Sequence, residues 1–292
     1  AVLTLIASTL SAQELIPRAY WPAPVGTTAI VFGARHQWGD VVTDPSLPLV
    51  GVDSRINSGV LGFQRTLSLF GRTSNLQLAL PYSSGTTKGL VEGEPGRRDV
   101  SGFGDVSATW SVNLLGAPAM NLESFRSFLH DPKPIVAASI KVVAPTGQYD
   151  KDRLINIGTN RWATRLRVGY IQPLARRWLL ELAIGTWLFQ DNDEFLGTTR
   201  EQKPITAFDV SLIHEIGDGL WASLDGTYYA GGRTRVDGTR NFDFQRNSRL
   251  GFSVSYPFKR RHIFKASYTN GLTTESGGDF DSIGLTYVYV LP

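Results

Sequence analysis

The chain has 292 residues, with 29 Lys and Arg against 26 Asp and Glu, for a formal net charge of +3. It contains no cysteine, which excludes disulfides and thiolate metal centres, and no long basic run, so a nucleic-acid binder's electrostatic footprint is missing. Only 19% of the residues are charged, few for a soluble surface, yet no apolar stretch reaches the ~20 residues that a spanning helix needs.

Taken in chain order, Ala1–Leu10 is small and apolar, and Leu10-Ser11-Ala12 has the form of a signal-peptide end, with cleavage before Gln13 or Glu14. The initiator Met and a basic n-region are missing, so residues 1–13 read as a residual signal peptide; a short apolar first strand is the alternative. Residues 14–26 hold Pro17, Pro22 and Pro24 around Tyr20 and Trp21. That spacing favours a stiff extended segment, either a leader into the first strand or a plug that folds back inside the strands.

From residue 27 to 292 the chain alternates. Leu76, Leu78, Leu80 and Tyr82 oppose Asn75, Gln77 and Ala79; Val106, Ala108, Trp110, Val112 and Leu114 oppose Ser107, Thr109, Ser111 and Asn113. A period of two means strand, since successive side chains leave opposite faces of the ribbon. One greasy stripe and one Ser/Thr/Asn/Arg stripe suit a sheet between hydrocarbon and a polar lumen. The expected strand cores are 27–38, 55–68, 74–84, 103–114, 135–145, 162–172, 178–189, 204–215, 219–230, 247–258, 262–272 and 281–291. Lipid leaves no unpaired backbone edge tolerable, so these must close. The expectation is an all-β fold: a transmembrane up-and-down antiparallel β-barrel of about twelve strands in the bacterial cell outer membrane, with a short periplasmic helix.

The connections sort by parity. Gly71-Arg72-Thr73, Ala175-Arg176, Gly217-Asp218-Gly219 and Lys259-Arg260-Arg261 are short, as periplasmic turns are; 39–54, 85–102, 146–161, 190–203, 231–246 and 273–280 are long, as external loops are. The exception is 115–134, where Asn121 caps a helix sharing Leu122, Phe125, Phe128 and Leu129 on one face. It covers the barrel base, lies at the inner interface, or docks a periplasmic partner. Pro173-Leu-Ala-Arg-Arg-Trp178 parallels Pro257-Phe-Lys-Arg-Arg-His262, each proline at a strand end with arginines at headgroup level. Trp38, Tyr82, Trp162, Trp178, Trp187, Tyr228, Tyr256, Phe258, Tyr268, Tyr287 and Tyr289 fall where an aromatic girdle would. Ile283, Leu285, Tyr287 and Tyr289 on the last strand are similar to the carboxy-terminal signal read by the barrel assembly machinery, although the final Leu291-Pro292 departs from a terminal aromatic.

Several loops carry a resemblance. Ile16-Pro-Arg-Ala-Tyr-Trp-Pro-Ala-Pro-Val-Gly26, Val42-Thr-Asp-Pro-Ser-Leu-Pro48, Val52-Asp-Ser-Arg-Ile-Asn57, Ala144-Pro-Thr-Gly-Gln-Tyr-Asp150, Leu154-Ile-Asn-Ile-Gly-Thr-Asn-Arg-Trp162, Asp191-Asn-Asp-Glu-Phe195 and Ser276-Gly-Gly-Asp-Phe280 together resemble the outer-membrane family of transporter or meta-pathway phenol degradation proteins. The resemblance spans nearly the whole mature chain. It implies an outer-membrane barrel that passes small molecules, aromatic ones among them, and it brings no catalytic set.

If the apolar stripe faces lipid, the opposite stripe puts Arg35, Lys141, Arg165, Arg167, Glu181, Asp209, Asp225, Arg249 and Lys265 in the lumen. These nine form either a salt-bridged band, since inward charges have nowhere else to pair, or a constriction that biases permeation toward anions or polarised aromatics. Loops 39–54, 146–161 and 231–246 would narrow the mouth. Asp191, Asp193, Glu194 and Glu201, and separately Asp279 and Asp281, offer oxygen ligands for Ca²⁺ or for counter-ions bridged to lipopolysaccharide, without complete EF-hand spacing. Nucleophilic catalysis is poorly served: of His36, His130, His214 and His262, only His36 lies near the outer rim, close to Asp40, with no serine two residues away. No His-x-x-x-His pair suggests a metal. The expectation is a passive channel for small, aromatic or anionic solutes, with no enzyme activity and no cofactor. Its partners would be outer-membrane lipid and lipopolysaccharide, the solute and the assembly machinery. The rivals are a closed docking barrel and a membrane-embedded hydrolase.

Overall fold

The computed structural model describes residues 15–42, 49–91, 94–174, 177–217, 219–259 and 261–292. Residues 1–13, read above as a signal remnant, lie outside the described residues, as do the turn residues 175–176, 218 and 260. The strands are β1 (Thr28–Val42), β2 (Leu49–Leu69), β3 (Arg72–Val91), β4 (Glu94–Phe103), β5 (Ser107–Leu115), β6 (Ile135–Val143), β7 (Ala163–Pro173), β8 (Trp178–Phe189), β9 (Asn192–Phe195), β10 (Thr198–Gln202), β11 (Ile205–Gly217), β12 (Leu220–Gly231), β13 (Thr234–Val236), β14 (Thr239–Arg240), β15 (Gln245–Phe258), β16 (His262–Thr273) and β17 (Gly277–Val290). Among the described residues one helix, α1 (Leu122–His130), occurs, between β5 and β6.

Antiparallel ladders run β2-β1-β17-β16-β15-β12-β11-β8-β7-β6-β5-β3, and β3 pairs back to β2. With β4 and β5 as two halves of the fourth strand, this is a closed twelve-stranded barrel. Closure leaves no edge in hydrocarbon, the condition for crossing a bilayer with strands. Polarity is inverted relative to a soluble sheet. Phe32, Leu61, Leu78, Trp110, Leu166, Phe208, Leu224, Phe252 and Leu285 stand exposed outside, while their chain neighbours Ser111, Arg167, Ser223, Asp225 and Ser253 are buried inside. The alternation therefore marks hydrocarbon outside and polar groups within.

The structure departs from the sequence reading in five places. The fourth strand, expected unbroken over 103–114, stops at Phe103 and resumes at Ser107. Between them Gly104 N–H donates to the Pro81 carbonyl at 2.9 Å, and Asp105 turns away from the ladder. Segment 85–102, expected as a loop, continues the β3–β4 ribbon to Val91 and from Glu94, and β1–β2 likewise pairs into the expected loop as far as Val41 and Val52. A ladder satisfies its own backbone whether or not a face is apolar, so polar stretches such as Ser83-Ser84-Gly85-Thr86-Thr87-Lys88 stay in strand. Segments 190–203 and 231–246 contain β9, β10, β13 and β14, which join into a second, four-stranded sheet. Their hairpins turn at Leu196-Gly197 (φ +50°, +77°) and Asp237-Gly238 (φ +48°, +72°), paired left-handed residues whose twist matches that of the flanking strands.

The fourth departure is in α1. Its N-cap is as expected, with the Asn121 side chain accepting from Ser124 N–H at 2.8 Å. The apolar residues divide, however: Phe128 is buried and Phe125 packs beside it, while Leu122 and Leu129 face outward. Fifth, Trp187 is 1% exposed and sits inside the barrel, outside any lipid-facing girdle.

Candidate functional site

The proline-rich segment packs inside the turn end of the lumen. Pro17–Tyr20 makes a turn, with Trp21 N–H donating to the Arg18 carbonyl at 3.1 Å and Arg18 in the left-handed region at φ +64°. The expected stiff rod is thus bent at its start, which folds residues 15–21 back between the strands. The Arg18 backbone N–H donates to the Glu181 carboxylate at 2.7 Å, and its guanidinium pairs with Glu215 at 2.7 Å. The same guanidinium lies 4.4 Å from the Trp21 ring centre and 5.6 Å from that of Trp221. Tyr20 is 2% exposed; its hydroxyl meets Ser139 at 2.9 Å and its carbonyl accepts from Asn113 at 3.1 Å.

The wall makes room for this segment with glycine. A Cβ at Gly169 would run into the Tyr20 ring, and one at Gly251 would come 2.7 Å from a Leu15 methyl. Below the segment, Val25 N–H donates to Met120 O at 2.8 Å, and Trp21 packs on Phe128 of α1 with ring centres 5.6 Å apart. Ala117, Met120, Ile135, Ile171, Leu179 and Ile213 complete an apolar core inside the barrel base. Arg18, Tyr20 and Glu215 were absent from the sequence-derived site. Tyr20 stood in the segment read from the sequence as a leader or plug, whereas Arg18 and Glu215 had no signature there.

Above that base the nine lumen residues separate by exposure. Arg167, Glu181, Asp225 and Arg249 are buried, while Arg35, Lys141, Arg165, Asp209 and Lys265 are partly exposed to the lumen. Arg167 pairs with Asp209 at 3.0 Å, and Asp209 also accepts from Thr227 at 2.7 Å. Glu181 is engaged by Arg18, and Asp225 accepts from Ser223 at 2.9 Å and Ser253 at 3.2 Å. Several cations lie against rings. Lys141 and Arg165 approach the Trp187 ring centre at 6.0 and 5.2 Å, and Lys265 that of Trp221 at 5.6 Å. Arg249 donates to the Phe280 carbonyl. The lumen wall thus presents guanidinium and ammonium groups over indole faces, a geometry worth about 0.5–2 kcal/mol per pair as desolvation increases.

At the loop end, Asp105 stitches the broken fourth strand to the segment following β6. Its carboxylate accepts from Gly147 N–H at 2.8 Å, Thr159 N–H at 2.9 Å and the Thr159 hydroxyl at 2.7 Å. That segment is tied to the four-stranded sheet: Leu196 N–H donates to Lys151 O at 2.9 Å, and Asn192 reaches the Tyr149 hydroxyl at 2.8 Å. Arg161 bonds Gln202 and lies 4.7 Å from the Phe189 ring centre. Burial pulls its guanidinium down to about 10, against the opposing pull of Asp191 and Asp105. In the acidic cluster, Glu194 accepts from Asn160 at 3.2 Å, Asp193 from Thr199 at 3.2 Å, and Glu201 pairs with Arg235 at 3.4 Å. Among the described residues no group of three or more His, Asp or Glu is placed to hold a metal ion. His36 meets Asn57 at 2.7 Å and stacks on Trp38 on the outer face.

The family model for the MetA-pathway of phenol degradation matches residues 34–288. The chain belongs to that family. No curated protein matches the chain. Among solved structures, the barrel is similar to an outer membrane channel of Pseudomonas putida F1, with 24% identity over 95% of this chain and 100% of that one, and a TM-score of 0.82. It is also similar to the transport unit of the autotransporter AIDA-I from Escherichia coli, with 10% identity, coverage of 98% and 95%, and a TM-score of 0.56. A third is the TodX monoaromatic hydrocarbon channel, with 8% identity, coverage of 92% and 90%, and a TM-score of 0.50. At these identities the likeness is one of fold, and the fold is the outer-membrane β-barrel. In that fold the short turns and both termini lie in the periplasm. The base of this family member, with residues 15–21 packed in it, accordingly faces the periplasm and its stitched loops face outward.

Proposed function

We propose that this outer-membrane barrel is a channel for passive diffusion of small solutes that carry an anionic group on an aromatic or apolar body. The observation that carries the reading is the exposure split within the lumen. Of the nine lumen charges read from the sequence, five remain partly exposed, the cations Arg35, Lys141, Arg165 and Lys265 and the anion Asp209, while the inward Glu215 at the base is taken up by Arg18. Three of those cations are held against the buried rings of Trp187 and Trp221, which fix where a passing carboxylate meets positive charge. Charged rings set ion preference in pores this way. The hydrocarbon channel and the other outer membrane channel sharing this fold support a transport role.

Reversal potentials across a planar bilayer under a salt gradient test the reading. The wild-type barrel is expected to favour chloride over potassium. Arg165→Glu, on a partly exposed site above the packed base, is expected to move the permeability ratio toward potassium by about tenfold, or ~1.4 kcal/mol. An unchanged ratio would remove the charged wall from the mechanism. The packed base supports a second reading, a barrel closed to solutes that serves as a docking scaffold. The same bilayers decide it, since a closed barrel shows no current in any variant.

A further inference from the structure

We infer that the outer wall over β15, β16, β17 and β1 carries a binding site for an anionic phospholipid of the periplasmic leaflet. Cross-strand register places residues there in level rows. Tyr256, Phe264, Tyr287 and Phe32 are direct neighbours across the four strands, and Phe264 and Phe32 approach the Tyr287 ring at 5.2 and 6.2 Å. The next row toward the loop end is Val254, Ala266, Leu285 and Ala34. Small side chains behind a row of rings leave a recess of about 440 Å³ on the lipid-facing surface, opened to the bilayer. It is lined by apolar groups and fits acyl chain.

What selects the occupant is the charge at the recess's periplasmic edge. Three residues beyond the aromatic row, at roughly 10 Å along the strands, the chain turns through exposed Lys259 and Arg261, with His262 bonded to the Tyr287 hydroxyl at 2.7 Å. Arg65 stands exposed at the same level, opposite Thr28 at the start of β1. Residues 254–266, 283–290, 28–34 and 61–69 contain no Asp or Glu. A cationic rim on strand stretches that carry no Asp or Glu, above an apolar recess, matches a phosphodiester headgroup with its chains, and matches a zwitterionic lipid less well. Each basic group near an anionic lipid surface contributes attraction in such a site. This inference is independent of the solute that the lumen passes.

The test is lipid retention by the purified barrel in nanodiscs of equal phosphatidylglycerol and phosphatidylcholine, released and weighed by native mass spectrometry. The wild type is expected to keep one phosphatidylglycerol in about tenfold preference over phosphatidylcholine. The double variant Lys259→Gln with Arg261→Gln is expected to lose the preference while remaining a heat-modifiable barrel. Ala266→Phe fills the recess from a lipid-facing site and is expected to shed the lipid with the cations intact. Equal retention of both lipids by the wild type would overturn the site, as would a preference that survives the double variant. A doubled protein mass that disappears in Ala266→Phe would also overturn it, in favour of a second copy seated in the recess.

Discussion

Deleting residues 15–22 is expected to raise the ion conductance of the purified barrel by roughly tenfold, because twelve strands enclose a lumen that inward side chains come close to filling. The segment occupies the periplasmic half of that lumen and is held by few anchors: the Arg18–Glu215 pair, the Arg18 N–H on Glu181, and Tyr20 against Ser139 and Asn113. The strands and their ladders do not depend on it, so the barrel should still migrate as a folded, heat-modifiable species. A point substitution gives the same answer without shortening the chain. Gly169→Leu puts a branched side chain where the Tyr20 ring lies, so Tyr20 must leave its seat. Both variants are expected to conduct alike and above wild type in single-channel recordings. If both conduct as the wild type does, the segment is not the limiting barrier and the resistance lies at the stitched loops.

The same segment shows where the sequence stops being legible. Twelve strands follow from alternation alone, because a membrane barrel imposes hydrocarbon on one face and polar packing on the other. Parity along each strand also placed Arg35, Lys141, Arg165 and Arg249 on the inner face. Partners across the lumen are another matter. They depend on which rotamer a long side chain takes and on a segment with no periodic pattern, so Arg18 and its link to Glu181 had no signature. Gly169 and Gly251 read as ordinary strand glycines until the residues they accommodate are known. The second sheet was partly legible: Asp237-Gly238 is a strong hairpin signal between short polar strands, and those strands lacked the apolar stripe that identified the others. The break at 104–106 shifts the alternation by one residue, from outward Phe103 to outward Val106 and Trp110, a slip that the stripe counted from Val106 onward does not show.

Asp105→Ala is expected to be the most disruptive single substitution at the loop end, costing roughly 3 kcal/mol or more of local stability, since hydrogen bonds to a charged acceptor contribute about 1.5–3 kcal/mol each. Two of its three donors are backbone N–H groups, those of Gly147 and Thr159, which no alanine can satisfy. They hold the 144–161 segment across the gap in the fourth strand, and that segment in turn holds β9 through Lys151 and Tyr149. Loss of the carboxylate should therefore release the segment and the small sheet together while the barrel below stays closed. The expected readout is an acceleration of amide exchange at Gly147 and Thr159 by about a hundredfold, with protease cleavage appearing within 146–161. Asp105→Asn retains one carbonyl oxygen and is expected to fall between the two. Exchange as slow in Asp105→Ala as in wild type would mean the segment is held by its other contacts. Because the leader is held inside one end by the side chains of Arg18 and Tyr20 and Asp105 ties the other end through the wall itself, the two variants separate the two ends of the barrel. Their conductances, measured singly and combined, show which of them limits a solute.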